Sequence, residues 1–252
     1  MFKAQTKRIE LLAKDNPKII QELEILFDKK TNVYIDFSNV IFWQHKLNWH
    51  IDLKRLKQFL SSFSNIQKVK FYYGTLNNDI GSKQLMSEIE SLNYYEIKTK
   101  PVKILKLSID VSSIPPNSPA LLQNFIAKPL LSKFNLESIE FLNRKLKELN
   151  DQGILYIEDK KCNFDVEIGV DMELDMKENT CDNFVLWSGD SDFSDPVIEL
   201  LDSGKKVAIF MTARRISSEL SDINAEKFDI KKIKEFICRS KELPEEIRRK
   251  TS

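Results

Sequence analysis

The chain of 252 residues carries a net charge of +1 at pH 7 and contains 42% hydrophobic residues, which allows one sizeable core and argues against a second independent catalytic domain. No stretch approaches the ~18 consecutive apolar residues of a membrane span, and the amino terminus lacks the apolar core of a signal peptide, so we expect a cytoplasmic protein. The three cysteines have no CxxC spacing, which argues against a disulfide framework and a zinc site.

Two amphipathic helices are predicted first, at 3–14 and 17–30, as an amino-terminal extension over 1–30. The next run, NVYIDFSNV at 32–40, is short, β-branched and aromatic, which is typical of a strand. It reaches Asp36 and then a polar pair, Ser38 and Asn39. The chain therefore has one carboxylate at the end of its first strand.

Strands and helices then alternate along the chain. A helix is predicted at 53–63, a strand at 68–74, a helix at 82–92 and a strand at 94–100. This alternation is the βαβ pattern of a parallel sheet.

The alternation breaks between 107 and 153. Three prolines in 112–119 mark a hinge, and two amphipathic helices are predicted at 119–131 and 135–150. We expect this segment to cap a site, to bind a protein partner or a second copy of the chain, or to lengthen the core.

A middle helix is predicted after Lys161, because Val166, Val170 and Leu174 are spaced as one helix face. Asp165 then lies in the first helical turn, where the helix dipole favours an anion. Asp171 comes six residues later, about 240° around the helix, so both side chains cannot easily face one point. We therefore prefer Asp165 as a site residue.

A buried strand, FVLW at 184–187, leads into the hexapeptide SGDSDF at 188–193. Its unbroken apolar character is typical of a parallel strand covered on both faces, and the residues that follow predict a helix with Pro196 in its first turn. Asp190 and Asp192 would then lie in the crevice beyond the strand ends, where open α/β sheets bind ligands. The alternative is that one of them only caps the helix.

The segment 158–195 concentrates negative charge. It holds twelve Asp and Glu against three Lys and no Arg, in a chain whose net charge is +1. Such crowding is relieved by a bound cation. A solvated helix surface would produce a similar count without a metal.

Three segments, taken in order, resemble the NYN domain family, a branch of the PIN-like metal-dependent ribonucleases. They are DFSN at 36–39, the segment 161–166 and the hexapeptide at 188–193. The carboxyl-terminal part is similar too, and its motifs are GKKV at 204–207, SSEL at 217–220 and AEKFDI at 225–230. The resemblance spans roughly 32–233, interrupted by an insertion at about 108–152.

The resemblance implies a Rossmann-like three-layer αβα sandwich with a mostly parallel central sheet over 31–235, followed by a tail at 236–252. It also implies an endoribonuclease that hydrolyses RNA phosphodiester bonds with Mg²⁺ or Mn²⁺. The implied ligands and catalytic residues are Asp36, Asp165, Asp190 and Asp192. The implied supporting residues are Asn39, Ser188 and Asp171.

RNA binding is expected to use basic and aromatic side chains near these carboxylates. Lys98, Lys100, Lys103 and Lys106 recur along one segment, and Arg214 and Arg215 follow a predicted strand. Arg214, Arg215 and Lys161 are candidates to hold phosphates, and Trp43 to stack on unpaired bases. The alternative is solvated lysines on a strand face and a tryptophan in the core.

Two other functions stay open on these residues. One is an NYN module that binds RNA or a protein partner with little or no turnover. The other is a phosphatase of the haloacid dehalogenase type or a receiver domain, which also ends its first strand in Asp. The phosphatase is disfavoured because Ser38 stands where it requires a second Asp.

Overall fold

The computed structural model describes residues 1–76, 79–212 and 216–251, without the side chains of 45 and 46. It contains two compact units, one formed by Met1–Pro101 with Asn163–Ser252 and the other by Val102–Cys162. The second unit contains the whole of the predicted 108–152 insertion. The predicted division into domains stays a prediction.

The structure has helices and strands in the following order along the chain. The helices are α1 (Lys7–Asp15), α2 (Pro17–Leu26), α3 (Phe37–Leu47), α4 (Leu53–Leu60), α5 (Ile80–Ser91), α6 (Lys128–Leu131), α7 (Leu136–Asp151), α8 (Asp165–Lys177), α9 (Ser194–Asp202), α10 (Ser218–Asp222), α11 (Lys234–Ile237) and α12 (Glu245–Thr251). The strands are β1 (Thr31–Asp36), β2 (Ile66–Thr75), β3 (Glu96–Pro101), β4 (Lys103–Ser108), β5 (Tyr156–Lys161), β6 (Asn183–Trp187), β7 (Lys206–Met211) and β8 (Glu226–Asp229).

The first unit contains a six-stranded sheet with the order β3-β2-β1-β6-β7-β8. Every neighbouring pair in this sheet is parallel. This confirms the predicted α/β class, with a parallel central sheet flanked by helices. The strand order reverses between β1 and β6, which is the position where such sheets form a ligand crevice.

One face of the sheet is aromatic. Phe71 of β2 contacts Phe37, with ring centroids 4.5 Å apart, and Tyr95, with centroids 5.5 Å apart. The Tyr95 hydroxyl donates a hydrogen bond to the carbonyl of Leu53, the first residue of α4, at 2.8 Å. Further along this layer Phe210 of β7 packs on Phe27 after α2. These rings are buried and form an apolar layer between the sheet and its helices.

Neighbouring residues of a strand point to opposite faces of the sheet. On the face of β1 and β2 opposite the aromatic layer, the side chains are polar. There α8 lies on the sheet through an ionic seam, in which acidic residues on one stripe of the helix meet lysines of β2 and β3. The pairs are Glu167 with Lys100 (2.5 Å), Asp171 with Lys98 (2.6 Å) and Asp175 with Lys70 (2.8 Å). The acidic residues recur every four positions, so they project from one side of α8.

The Asp175 pair is the most buried part of the ionic seam. The Asp175 carboxylate also accepts hydrogen bonds from the Tyr34 hydroxyl at 2.5 Å and from the Asn32 amide at 2.9 Å. Burial acts to raise the pKa of Asp175, but the hydrogen bonds from Lys70 and Tyr34 outweigh it and hold the pKa below its ordinary value. The buried charge is therefore satisfied on several sides, as a charge inside a protein requires.

The secondary structure of the second unit differs from the prediction of two helices. Its strands β4 and β5, which the sequence did not predict, form an antiparallel pair. The helix predicted at 135–150 is present as α7, but the one predicted at 119–131 is wrong, since that region holds a 3-10 turn and the one-turn helix α6. A longer helix is blocked by Pro129, whose ring would clash with the preceding turn.

The carboxyl-terminal segment is not a solvated tail at its start. Phe236, Ile237 and Cys238 are fully buried, and Cys238 forms a β-bridge with Ile51. Only after Leu243 does the chain become a short mixed-charge helix, α12. The beginning of the predicted 236–252 tail therefore belongs to the core.

Replacing Lys70 with Met is expected to destabilise the protein by about 3 kcal/mol, because it leaves the Asp175 carboxylate buried without its cation. Equilibrium urea unfolding measures the change. The control is Lys14→Met, which breaks the exposed Lys14–Glu10 pair and should cost under about 0.5 kcal/mol. Equal losses in the two variants would contradict a stabilising ionic seam.

Candidate active site

The candidate site lies where β1 and β6 end side by side. Asp36 is the last residue of β1, and Ser188 follows β6 directly. Because both strands are parallel neighbours, their carboxyl ends open on the same edge of the sheet. This edge is the switch point of the strand order, where a crevice forms.

Asp36 is 5% exposed and holds the start of α3. Its carboxylate accepts hydrogen bonds from the Asn39 backbone N–H and from the Ser188 hydroxyl, both at 3.3 Å. Burial raises the pKa of Asp36, hydrogen bonds from Asn39 and Ser188 act to lower it, and the nearby charge of Asp190 adds to the rise. The predicted supporting roles of Asn39 and Ser188 thus correspond to direct contacts with Asp36.

Asp190 and Asp192 lie in the turn after β6. The Asp190 carboxylate accepts a hydrogen bond from the Asp192 N–H at 3.3 Å and so caps a short 3-10 turn, Ser191–Phe193. The Asp190 N–H in turn donates to the Ser188 hydroxyl at 3.3 Å. Asp190 is half-buried and Asp192 is exposed. Capping therefore does occur at Asp190, and it leaves the second carboxylate oxygen uninvolved in that bond.

Asp165 is the first residue of α8, as the sequence predicts. Burial and then the negative charges of Asp190, Asp36 and Asp192 raise its pKa to about 6, and a hydrogen bond to the Asp192 carboxyl adds to this rise. The four predicted carboxylates, which come from three distant segments, are therefore close enough to act on one another. Two of them, Asp36 and Asp165, have raised pKa values.

Asn163 is a site residue that the sequence did not predict. Its side-chain amide donates a hydrogen bond to the Asp165 carboxylate at 2.6 Å. The sequence feature that indicates this contact is the position of Asn163 two residues before an Asp in the first helical turn. At this spacing short polar side chains can hydrogen-bond to one another.

The amino-terminal end of α8 is held by Phe164 and Lys100. Phe164 is 1% exposed, and the Lys100 ammonium lies 4.6 Å from its ring centroid while pairing with Glu167. Asp171 faces the sheet instead of the site, because its carboxylate binds the Tyr72 hydroxyl at 2.5 Å and Lys98 at 2.6 Å. The structure thus brings Asp165 to the other carboxylates and places Asp171 in the ionic seam.

The side chains predicted to contact RNA have different positions in the structure. Trp43 is 1% exposed, which contradicts a role in base stacking, because α3 turns its ring into the core. Lys98 and Lys100 are paired within the ionic seam, so they do not form a row of free cations. Lys161 belongs to the second unit, where its ammonium lies 3.6 Å from the Asp159 carboxylate. Arg214 and Arg215 lie outside the described residues.

The chemistry of the four aspartates fits a hard divalent cation. Carboxylate oxygens are the ligands that Mg²⁺ and Mn²⁺ prefer, and a cation would relieve the repulsion that raises the pKa of Asp165. However, within 1–76, 79–212 and 216–251, no group of three or more His, Cys, Asp or Glu side chains is arranged so that it could hold a metal ion. The donor types therefore fit, whereas the carboxylates do not form a finished coordination shell.

Comparison with known proteins supports the family resemblance. Residues 125–231 match the model of the NYN domain family, which confirms the resemblance predicted from the sequence. The matched region includes Asp165, Asp190 and Asp192 and ends in the residues after β8. Asp36 lies outside it.

The crystal structure of a protein of unknown function from Vibrio parahaemolyticus is similar to this chain, with 17% sequence identity and a TM-score of 0.49, over 84% of this chain and 96% of that one. No curated protein matches the chain. Separately, the helices in the described parts of the chain include none that is long and apolar enough to cross a membrane.

Replacing Asp165 with Asn is expected to make stability less dependent on pH. An unfolded Asp has a pKa of about 3.9, and the folded value is about 6, so ionisation costs more in the folded state. The unaltered protein therefore loses stability as the pH rises from about 4 to about 6, and the loss stays constant above that.

The amide cannot ionise, so Asp165→Asn should gain about 1 kcal/mol relative to the unaltered protein between pH 4 and pH 8, after allowing for solvent screening of a half-exposed group. Urea unfolding in EDTA at both pH values measures the gain. The exposed Asp202→Asn serves as the control. The same stability difference at pH 4 and pH 8 would contradict the electrostatic coupling of these carboxylates.

Proposed function

We propose that this protein is a metal-dependent endoribonuclease that hydrolyses RNA phosphodiester bonds with Mg²⁺ or Mn²⁺. The observation that carries the proposal is the convergence of Asp36, Asp165 and Asp190 at the switch point of a parallel sheet, in a chain whose residues 125–231 match the NYN domain family. These three residues lie in separate segments of the chain, and the fold brings their charges close enough to influence one another.

Each carboxylate has a proposed role. Asp36, Asp165 and Asp190 would hold the cation, and Asp192, which is the most exposed of the four, would support it. When bound, the cation supplies a Lewis acid that lowers the pKa of a water molecule and stabilises the charge that develops on the phosphate. Ser188 and Asn39 hold the Asp36 carboxylate in place through the hydrogen bonds described above.

The surroundings of Asp36 suit this role. A buried carboxylate with a raised pKa is costly to ionise alone, so it gains the most from a nearby cation. The two hydrogen bonds fix its orientation without neutralising it, which leaves its charge available for a metal. Asn163 fixes Asp165 in a similar way.

RNA binding is assigned to three basic residues. We propose that Arg214 and Arg215, which follow β7, and Lys161 hold phosphates of the substrate. Lys161 is exposed, and its ammonium lies 3.6 Å from the Asp159 carboxylate, a long ion pair that can exchange partners. We place this activity in the cytoplasm, where the buried thiols Cys181 and Cys238 stay reduced. The predicted homodimer or protein partner at 108–152 stays a prediction.

A second candidate function is an NYN module that binds RNA or a protein partner and has little or no turnover. One observation favours it. Among the described residues, no group of three or more His, Cys, Asp or Glu side chains is arranged so that it could hold a metal ion, and this candidate requires no such group. The two candidates differ in whether Mn²⁺ induces cleavage.

The nuclease proposal predicts Mn²⁺-dependent cleavage of a labelled single-stranded RNA, followed on a denaturing gel. Asp36→Asn should lower the rate at least about 100-fold, because it removes a proposed cation ligand from the reaction. The matched control is Asp202→Asn, which changes an exposed carboxylate at the end of α9 and should leave the rate within about twofold. Circular dichroism verifies that both variants are folded.

Three outcomes separate the candidates. Cleavage that requires Mn²⁺ and is lost in Asp36→Asn supports the nuclease. Cleavage that is independent of Mn²⁺ or equal in Asp36→Asn rules it out, since the activity would then come from elsewhere. RNA binding without cleavage, measured by fluorescence anisotropy, supports the second candidate.

A further inference from the structure

Helix α8 is exposed on the side where its aliphatic residues lie. Val166 is 75% exposed, Val170 is 47% exposed and Leu174 is 48% exposed. They recur every four residues, so they form one stripe. The ionic seam causes this orientation, because it turns Asp171 and Asp175 toward the sheet and the aliphatic stripe toward solvent.

A groove runs beside this stripe, between α8 and α9. Its volume is about 500 Å³. The two helices approach closely at its floor, where a Cβ added to Gly169 would lie 3.4 Å from the Pro196 ring. Its apolar lining consists of Val166, Val170, Met172, Met176, Pro196 and Leu200. Met172 is fully buried, whereas Met176 is half-buried, and its adaptable side chain suits a surface that accepts another chain.

The polar lining of the same groove is acidic. The charged side chains that line it are Asp165, Glu173, Asp192, Asp195 and Glu199, and no Lys or Arg stands among the described residues of the lining. Glu173 is paired with Lys177 on the solvent side of α8, which leaves the carboxylates of α9 and the site loop to set the potential. The groove therefore combines exposed aliphatic surface with negative charge.

This combination selects one kind of occupant. Outside the candidate site, the carboxylates of Asp195 and Glu199 on α9 disfavour anionic lipid surfaces along the groove. A second copy that docks through the same groove would bring two sets of carboxylates together, and like charges in contact disfavour such an interface. A segment with an apolar face and basic flanks satisfies both the aliphatic stripe and the charge.

We propose that the α8–α9 groove is a docking surface for an amphipathic, Lys- and Arg-rich helix of a partner protein. The apolar face of the helix packs on Val166, Val170 and the half-buried Met176. Its basic side chains pair with Asp195 and Glu199. The proposal concerns binding, so it holds whether or not the site cleaves RNA.

The test uses the full chain and a fluorescein-labelled synthetic peptide made of Leu and Lys, patterned as an amphipathic helix of about four turns. Two control peptides are a scrambled sequence of the same composition and a Leu/Glu version. Fluorescence anisotropy measures binding at physiological salt. The Leu/Lys helix should bind, and both controls should bind at least about tenfold more weakly.

Protein variants locate the peptide. The double change Val166→Asn with Val170→Asn should weaken binding about tenfold, because it removes exposed apolar contacts, and Glu199→Lys should weaken it through charge reversal. The matched controls are Ile80→Asn, which changes a 72% exposed residue on α5, and Glu90→Lys on the same helix. Both controls should bind within about twofold of the unaltered protein.

Several results would overturn the proposal. One is absence of binding by the Leu/Lys helix, and another is equal binding by the groove variants and their controls. A dimer in sedimentation velocity that the Val166→Asn, Val170→Asn protein loses would identify a second copy as the occupant. Single-stranded RNA whose binding is lost in that same variant would identify RNA. Asp165 and Asp192 are unchanged in every variant, so failure here is distinct from failure of the nuclease proposal.

Discussion

The ionic seam between α8 and the sheet is the interaction on which the rest of this structure depends. Asp175 is buried with Lys70, and Asp171 is buried against Lys98, so the charged side of the helix faces inward. A buried charge that loses its partner is costly, which leaves α8 one favourable rotation. That rotation carries Asp165 to the ends of β1 and β6 and exposes the aliphatic stripe. The position of Asp165 in the candidate site and the exposed aliphatic side of the α8–α9 groove therefore both result from the orientation of α8 on the sheet.

The carboxylates of the candidate site repel one another electrostatically. Asp36 and Asp165 both have raised pKa values, and each is influenced by the charge of Asp190. Stable folds usually separate like charges or neutralise them, so carboxylates kept together at a switch point are typical of a functional site. Hydrogen bonds from Ser188 and Asn163 orient the carboxylates and leave their charge in place.

Local patterns were enough to predict the sheet and the positions of Asp36, Asp165 and Asp190, because strand ends and first helical turns are set by nearby residues. They could not predict which side of α8 is buried. Val166, Val170 and Leu174 have the spacing of a core face, yet the lysines that reverse the helix lie on strands between about 70 and about 105 positions away in sequence. The prediction that Trp43 stacks on bases was wrong for a related reason, since α3 begins directly after Asp36 and turns the Trp43 ring toward the core.

The most direct test of this account is a crystal structure of the protein soaked in Mn²⁺, with diffraction recorded at the manganese absorption edge. The account predicts one anomalous peak among the carboxylates of Asp36, Asp165 and Asp190, with α8 still held by the ionic seam. Absence of a peak there, or a peak at other carboxylates only, would contradict the claim that these residues form a metal site.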